Sequence, residues 1–378
     1  MKIGVDIRSL MDKNFSGVST FTYNLLLNLL KIDSKNQYVF YYNSLTKVKL
    51  PEFSDKVKII KTSYPNKVFN YFLQKTFSYP KIDKYMGGLD LFFAPHFNFF
   101  SLSPKVKQII TVHDLSFIRY PEFFSSRKNS WHQALNVKRI LQQSDMIMTV
   151  SQNSRLDILE LFSLEENKVK AVYSGIEDKF FQTSSIFELQ RVRYNLSLPA
   201  RFILSLATLE PRKNLEGLIK AYNIFRDKRP DLNEVKLVIA GAKGWRYQNI
   251  IKAWRESKFK DDIIFLGYVK NEDKKVLYTL AELFVFPSFY EGFGFPVLEA
   301  MASKTPVICS FNSSLPEIAG SSALLINPVK SEEIAWAIEQ IASSSGLKDY
   351  YSQKGYQRSQ NFSWQQSAEK YLETFNSF

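Results

Sequence analysis

Residues 284–310, FVFPSFYEGFGFPVLEAMASKTPVICS, decide the fold of the C-terminal half of the chain. The stretch has the pattern of a buried strand, a glycine-containing loop, a helix and a second buried strand. Pro296 stands at the predicted start of the helix, where its fixed φ suits helical geometry and its missing amide costs no hydrogen bond. The amino end of this helix therefore follows directly on the glycine loop. Strands and helices that alternate in this way are typical of a parallel, doubly wound sheet.

The same alternation continues through the rest of the chain. The C-terminal half also contains the apolar runs FILSLA, VKLVIAG and DIIFLG, and the N-terminal half contains MKIGVDIR, YVFYYN, VKII, LDLFFAP, KQIITVHD and DMIMTVS. A polar stretch around residue 185 separates the two halves. We predict an α/β protein of two Rossmann-like domains facing a central cleft. The predicted parts are an N-terminal domain (1–185), a C-terminal nucleotide-binding domain (186–360) and a last helix (361–378) that either caps its own domain or crosses back to the first.

Composition narrows the class of protein. A length of 378 residues with 45% hydrophobic side chains provides cores for two domains. The single cysteine, Cys309, excludes a disulfide within the chain, and the three histidines lack the paired spacing of a zinc site. The opening MKIGVDIRSL has no signal-peptide pattern, and no apolar run is long enough to span a bilayer. We expect a cytoplasmic protein that needs no metal.

The net charge of +13 predicts an anionic partner. Residues 1–185 carry 25 Lys and Arg against 16 Asp and Glu, and residues 46–84 contain nine lysines against three acids. Aromatic side chains interleave with these lysines at Phe69, Tyr71, Phe72, Phe77 and Tyr79. Such a stretch suits an anionic membrane surface, and a solvated lysine-rich face explains it equally well. No nucleic-acid-binding module accompanies the charge, so nucleic acid is not an expected partner.

Two glutamates flank the predicted helix start, with Glu291 before it and Glu299 about one turn inside. Backbone amides at a helix amino end, together with the helix dipole, favour an anionic phosphate. Carboxylates accept hydrogen bonds from sugar hydroxyls. A dinucleotide fingerprint would need a small residue at Val297, which argues against a nicotinamide enzyme. Taken singly, each element is better explained as an ordinary glycine-rich turn or a surface glutamate.

The whole stretch resembles the Glu-x7-Glu donor motif of the family-4 retaining glycosyltransferases, which have the GT-B architecture of two Rossmann-like domains. This resemblance implies that Glu291 contacts the transferred sugar and Glu299 the ribose of a nucleotide sugar. The loop that would hold hexose and phosphate consists of Gly292, Phe293, Gly294, Phe295 and Pro296.

A second stretch, SLATLEPRKNLEGLIKAY at 205–222, resembles the same family, in which a basic pair neutralises the donor diphosphate. Arg212 and Lys213 match this pair. Departure of a nucleoside diphosphate needs such charges because negative charge grows on the leaving group. Many relatives carry a further arginine where this chain has Ala207 and Thr208, so we rank Lys213 first and Arg212 second, and count Thr208 among the donor-binding positions.

Two positions in the N-terminal half complete the predicted site. Gly17 opens the first helix and resembles the glycine loop that approaches the diphosphate in this family, although a single glycine is more often an ordinary turn. His113 ends the strand QIITVHD, at a position where α/β folds display site residues. The resemblance gives His113 a catalytic role beside Lys213 and Glu291, and a structural histidine is the alternative.

These observations predict a retaining, metal-independent hexosyltransferase without a cofactor. It would move mannose or glucose from a nucleotide diphosphate sugar to a hydroxyl of a glycan or lipid-linked acceptor during surface polysaccharide synthesis, at the inner face of the cell membrane. Two alternatives stay open at this point. One is a sugar-nucleotide epimerase on the same fold, and the other is a non-catalytic donor-binding or scaffold subunit.

Overall fold

A computed structural model describes residues 1–12, 15–55, 57–65 and 79–378, with the side chain of Arg127 left out. The chain forms two compact units. The first comprises Met1–Phe117, Ser126–Gly175 and Ser363–Phe378, and the second comprises Ile118–Ser125 and Ile176–Phe362.

Each unit contains one parallel sheet. The described strands of the first unit are β1 (Lys2–Asp6), β2 (Gln37–Asn43), β3 (Lys58–Thr62), β4 (Leu91–Ala94), β5 (Lys107–Val112), β6 (Met146–Thr149) and β7 (Val169–Ala171), in the sheet order β3-β2-β1-β4-β5-β6-β7. Those of the second unit are β8 (Arg201–Leu206), β9 (Val235–Ala240), β10 (Ile263–Gly267), β11 (Leu283–Phe286), β12 (Val307–Ser310) and β13 (Leu324–Ile326), in the order β10-β9-β8-β11-β12-β13. In each sheet the chain adds strands on one side of the first strand and then on its other side. This is the doubly wound topology that the sequence predicts.

The described helices are α1 (Gly17–Ile32), α2 (Ile82–Tyr85), α3 (Ser116–Arg119), α4 (Ser126–Leu135), α5 (Val137–Gln143), α6 (Gln152–Phe162), α7 (Ile186–Asn195), α8 (Leu215–Lys228), α9 (Gln248–Arg255), α10 (Asn271–Leu280), α11 (Phe295–Ala302), α12 (Leu315–Ala319), α13 (Ser331–Ser343), α14 (Ser345–Ser359) and α15 (Trp364–Phe375). Most of the longer ones follow a strand and return the chain to the next parallel strand, as crossover helices do.

Helix α8 illustrates how the second unit is packed. Its apolar side chains recur every three or four residues, so that Leu218, Tyr222 and Phe225 lie on one buried face. Full burial of one such side chain contributes about 1.5–3 kcal/mol. The Tyr222 hydroxyl donates a hydrogen bond to the Val235 carbonyl at 2.9 Å, which satisfies its polar end inside the core. This face holds α8 against the sheet and fixes the loop that precedes it.

The C-terminal helix α15 belongs to the first unit. Its Tyr371 is buried, packs 6.1 Å from the ring of Phe21 in α1, and shares a 2.9 Å hydrogen bond with Thr111 in β5. The Ser367 hydroxyl donates to the Tyr173 carbonyl at 2.6 Å. Apolar residues at helical spacing in α15 therefore complete the hydrophobic layer of the N-terminal sheet.

The division into units differs in two places from the predicted junction at 185. Residues 176–185 already belong to the second unit, because the Ile176 amide bonds the Phe362 carbonyl at 3.1 Å and the Phe180 ring packs near Tyr278. The segment Ile118–Ser125 also belongs to the second unit, although its neighbours in the chain lie in the first. The periodicity of the local sequence predicts neither of these two differences, since both depend on contacts with residues far away in the sequence.

Most of the aromatic residues in the basic stretch 46–84 lie outside the described residues, as do Lys56, Lys67 and Lys75. The prediction of a membrane-facing surface there remains a prediction. Among the residues that the structure describes, no helix combines the length and apolar character needed to cross a membrane.

Candidate functional site

The predicted donor residues of the second unit lie in loops that follow two neighbouring strands. Strand β8 leads through Thr208 into the short 3-10 turn Pro211–Lys213, and β11 leads into the loop before α11. Because β8 and β11 pair in parallel, their carboxyl ends lie side by side and the two loops meet. The Phe289 amide donates to the Arg212 carbonyl at 2.9 Å, which joins the loops through their backbones.

Arg212, Lys213 and Glu291 form one hydrogen-bonded cluster. Nζ of Lys213 lies 2.5 Å from Oε1 of Glu291, and Nη1 of Arg212 lies 3.0 Å from its Oε2. The Arg212 guanidinium also donates to Glu210 Oε1 through Nε and Nη2, at 3.1 and 2.9 Å. Two cations thus face two carboxylates, and the charges of the cluster nearly cancel.

The charged side chains of this cluster are largely shielded from solvent, so each one strongly affects the ionisation of its neighbours. The side chains of Arg212, Lys213 and Glu291 are 14%, 12% and 10% exposed. Burial alone would raise the pKa of Glu291, but the charges of Arg212 and Lys213 outweigh it and hold that pKa below its ordinary value. Glu291 is therefore ionised at neutral pH, with both oxygens held toward the cations.

The loop after Glu291 is held by two consecutive serines. The Glu291 amide donates to Ser313 Oγ at 2.8 Å, and Ser314 Oγ bonds the carbonyls of Glu291 and Phe293 at 3.0 and 2.8 Å. Gly294 adopts a φ of 112°, a conformation that side chains rarely allow, and a Cβ there would lie 2.7 Å from Leu315 Cδ2. The backbone conformation at position 294 therefore requires glycine.

The amino end of α11 presents donors next to this cluster. Within the described part of the chain, no acceptor bonds the backbone amides of Gly292 and Phe293. Both residues are buried, and α11 begins at Phe295 with Pro296 in its first turn. Unpaired amides and the positive end of a helix dipole together create a position that favours an anion.

Glu299, the second glutamate of the motif, faces the interior of the second unit. It is 7% exposed, and its Oε2 accepts a 2.9 Å hydrogen bond from the hydroxyl of Tyr278. Burial and the charge of Glu299 raise the pKa of Tyr278 well above its ordinary range, so Tyr278 stays a donor. Among the described residues, Oε1 of Glu299 has no hydrogen-bond donor, which leaves that atom available to a ligand.

The remaining predicted residues lie elsewhere. Thr208 is exposed in the loop after β8, and Gly17 is exposed as the first residue of α1 in the first unit. His113, also in the first unit, donates from Nε2 to the Pro95 carbonyl at 2.9 Å, since a carbonyl can only accept. Its ring packs edge-on to Phe21, and burial lowers its pKa to about 4. His113 is thus neutral near pH 7, with Nδ1 as an acceptor.

Sequence reasoning missed two supporting residues, Glu210 and Tyr278. Glu210 orients Arg212 from within the quoted 205–222 stretch, and its position two residues before the arginine is the only available signal. Tyr278 comes from another element, α10, and carries no local signal of its own. Of the described residues, no three His, Cys, Asp or Glu side chains come close enough together to hold a metal ion.

Comparisons with known proteins now define the family. The profile of the family "Glycosyl transferases group 1" matches residues 187–358. The chain is 30% identical over 277 residues to the O-antigen chain mannosyltransferase B of Escherichia coli, covering 71% of this chain and 70% of that protein. It is 29% identical over 271 residues to the serotype-specific mannosyltransferase WbdA of Escherichia coli, covering 71% of this chain but only 33% of WbdA.

A solved structure agrees with these relatives. The sucrose-phosphate synthase of Thermosynechococcus elongatus superposes with a TM-score of 0.77 at 20% identity, over 100% of this chain and 98% of that one, which shows the GT-B fold. The chain belongs to the group 1 glycosyl transferases. It is therefore a glycosyltransferase, as the sequence motifs predict.

Proposed function

We propose that this glycosyltransferase moves a hexose, with mannose favoured, from a nucleotide diphosphate sugar to a hydroxyl of a growing surface glycan or its lipid-linked precursor. The observation that carries the proposal is the cluster of Arg212, Lys213 and Glu291 beside the unpaired amides at the start of α11. The two mannosyltransferases of Escherichia coli reported above support mannose as the sugar, and the one named for the O-antigen chain supports a surface polysaccharide as the product.

The donor diphosphate would bind between the cations and the helix. Arg212 offers a planar fork and Lys213 a compact charge, and the amides of Gly292 and Phe293 add donors. Since Glu210 and Glu291 already offset the two positive charges, the cluster attracts a dianion only if the phosphates displace part of the Glu291 contacts. As the bond to the sugar breaks, charge accumulates on the phosphate and these contacts strengthen.

The two glutamates would hold the two ends of the donor. Glu291 is ionised and accepts hydrogen bonds from hydroxyls of the transferred sugar. Glu299 has one oxygen bonded to Tyr278, and we assign its other oxygen, Oε1, to the ribose hydroxyls. Thr208, Gly294, Phe295 and Pro296 would shape the backbone around the donor, and the resemblance to the family also assigns Gly17 to donor binding.

His113 would act as a hydrogen-bond acceptor. Its Nε2 proton is engaged by the Pro95 carbonyl, so its Nδ1 lone pair is left for a hydroxyl of the sugar or the acceptor. A pKa near 4 keeps this lone pair available throughout the physiological range. This assignment differs from a general acid, which would need a proton on the ring nitrogen that faces the substrate.

Transfer would proceed with retention and without a metal ion. In the proposed step, the bond from the anomeric carbon to the phosphate oxygen breaks with its electron pair on the phosphate. The acceptor oxygen then bonds the same face of the sugar, and its proton passes to the departing phosphate. Glu291 is held by two cations, which makes it a poor nucleophile for a two-step route. Arg212, Lys213 and the helix amides supply the positive charge that a metal would bring.

The acceptor proposal includes an anionic membrane surface. The excess of lysine in residues 46–84 would hold the enzyme near a lipid-linked glycan. Sedimentation with vesicles of neutral lipid, and with vesicles containing 30% anionic lipid at about 0.1 M salt, tests this part. Equal sedimentation with both vesicle types would favour a soluble acceptor.

The first test of the donor site is a thermal-shift screen of the purified protein with GDP, UDP, ADP and their hexose conjugates in the presence of EDTA. A ligand that binds only the native state raises the melting temperature. We expect one nucleotide series to give a shift, and NMR of the glycoside product to show the anomeric configuration of the donor. Absence of any shift would favour a scaffold subunit, and an inverted product would refute the retaining mechanism.

A further inference from the structure

The segment Ile118–Ser125, here called the clamp segment, is part of the second unit although it is inserted between two parts of the first. Phe117 and Ser126, its neighbours in the chain, both belong to the first unit. These eight residues pack within the second unit, whereas the chain on either side of them packs within the first. The free energy lost by ordering the backbone of this segment must be offset by the contacts that the segment makes.

Aromatic rings form the first set of contacts. The Phe123 ring stacks on Phe289, with centroids 5.4 Å apart and planes at 15°. The Tyr120 ring lies 5.6 Å from Tyr290 and stacks on Phe123 at 5.5 Å. Tyr290 is only 4% exposed, and the rings of Tyr120, Phe123 and Phe289 are half-buried. Aromatic pairs of this kind contribute about 0.5–1.5 kcal/mol each beyond their buried area.

Polar contacts to the loop between β9 and α9 hold the same segment from a second side. Trp245 Nε1 donates to the Phe123 carbonyl, and Arg246 Nη1 donates to the Glu122 carbonyl at 2.6 Å. The Trp245 ring stacks on Phe124 at 5.6 Å with planes at 20°. The backbone of the clamp segment is therefore fixed by side-chain donors as well as by stacking.

The partners of the clamp segment belong to the donor loop. Phe289 and Tyr290 immediately precede Glu291, and both bond Arg212 through their backbones, at 2.9 Å from the Phe289 amide and 2.7 Å to the Tyr290 carbonyl. Any shift of these two residues moves the Cα of Glu291 and the guanidinium of Arg212 together. Misplacement of a catalytic group by about 1 Å can cost on the order of 100-fold in rate.

We infer that the clamp segment sets the position of Glu291, and that Phe123 and Tyr120 are positioning residues for the transfer reaction. This inference rests on the proposed role of Glu291 at the donor sugar. The contacts of the clamp segment described above do not involve the amides of Gly292 and Phe293. A shift of Arg212 would weaken nucleotide binding slightly, whereas Lys213 and the loop amides would still hold the diphosphate, so turnover should fall more than nucleotide affinity.

The test compares Phe123→Ala, Phe123→Tyr and Trp245→Phe with Trp254→Phe in the full-length protein. Trp254 is a matched control in the same unit, because its Nε1 also donates to a backbone carbonyl, that of Lys260 at 2.9 Å, and its ring packs on Phe265. We would measure the melting temperature, the Kd for the nucleoside diphosphate that binds the wild type, and kcat for transfer.

We expect Phe123→Ala and Trp245→Phe to lower kcat about tenfold or more, with the nucleotide Kd within about twofold of wild type. Phe123→Tyr keeps the stacked ring and should retain most of the turnover, as should Trp254→Phe. The inference is overturned if Trp245→Phe and Phe123→Ala match the control, or if Kd weakens in proportion to kcat. If Phe123→Ala fails to fold, the kcat and Kd of Trp245→Phe still test the inference. A wild type that neither binds a nucleotide nor transfers sugar would instead refute the proposed function.

Discussion

Lys213 and Glu291, 78 residues apart in the sequence, are joined by a 2.5 Å hydrogen bond between Nζ and Oε1. The cation proposed for the diphosphate and the acid proposed for the sugar are therefore a single buried unit before any ligand binds. Each holds the other in place, so neither side chain has to be ordered when the donor arrives. Pre-ordering of this kind spares the entropy that binding would otherwise cost.

The first prediction concerns Glu291→Gln. The amide keeps the shape of the side chain but removes the charge and half of the acceptor capacity, so contacts to sugar hydroxyls weaken in the transition state. We expect kcat to fall about 100-fold. Affinity for the nucleoside diphosphate should hold or increase, because a carboxylate no longer competes with the phosphates for Arg212 and Lys213. Steady-state kinetics and calorimetry measure the two effects.

Glu282→Gln is the matched control for this variant. Glu282 also bonds one arginine and one lysine, Arg201 and Lys348, and its side chain is 17% exposed. Removal of one partner from such a cluster destabilises the fold in both variants. Similar losses of melting temperature with a loss of turnover only in Glu291→Gln would assign the charge to catalysis. Equal loss of turnover in both would reduce Glu291 to a structural role.

The second prediction concerns Lys213→Met, which keeps an unbranched side chain and removes the charge. We expect the donor KM to rise and kcat to fall, together lowering kcat/KM by about 100-fold, since charge on the departing phosphate loses a partner. Lys348→Met, which breaks the 2.8 Å bond to Glu282, is the control for the loss of a partly buried ion pair. A value of kcat/KM for Lys213→Met equal to that of the control would contradict the assignment.

Much of the fold follows from short-range patterns. Apolar runs of four to seven residues separated by helical periodicity predicted both parallel sheets, because a strand buried on both faces needs little context to be recognised. The donor loop was predictable for a similar reason. Glu291, Gly294, Pro296 and Glu299 lie within nine residues, so their spacing alone fixes their order around the start of α11.

The partners of these residues were not predictable. Tyr278 bonds Glu299 across 21 residues, and Ser313 bonds the Glu291 amide across 22, so no local period records either contact. The clamp segment shows the same limit more strongly, since Trp245 bonds Phe123 across 122 residues. Contacts between residues far apart in the sequence form only when the whole sheet is assembled, so no local sequence pattern predicts them.

The third prediction concerns Gly294→Ala. The φ of 112° makes any side chain unfavourable there, and the added Cβ meets Leu315 Cδ2 at 2.7 Å. We expect a loss of about 2–3 kcal/mol in stability and a weaker nucleotide Kd, because the amides before α11 must shift. Gly267→Ala is the control, since Gly267 also has a positive φ, 70°, but open space around its Cβ.

Gly267→Ala should lose about 1–2 kcal/mol from backbone strain alone and keep its nucleotide affinity. Urea unfolding and calorimetry distinguish the two variants. An unchanged Kd in Gly294→Ala would indicate that the loop amides do not bind the phosphate.

The last prediction concerns pH and His113. Burial lowers the pKa of His113 to about 4, whereas the unfolded chain has a histidine pKa near 6.5. The unfolded state therefore takes up a proton first as pH falls, and the contribution of His113 to stability is complete above pH 6.5 and lost progressively toward pH 4. The loss amounts to at most ~1.4 kcal/mol per pH unit for each such histidine. His96 and His132 also have lowered pKa values and act with the same sign.

Urea unfolding at pH 7.0 and 5.0 tests this prediction with His113→Gln and His132→Gln. Between these two pH values each variant should lose less stability than the wild type. The difference should be at most the contribution of one histidine to the free energy of unfolding. Buried carboxylates such as Glu291 titrate below this window, because their unfolded pKa lies near 4.3. The variants differ in activity, since only His113 carries a proposed contact to substrate. A wild-type pH dependence in His113→Gln would mean that folding does not lower the pKa of His113, and its Nδ1 would then lose its lone pair to a proton below about pH 6.5.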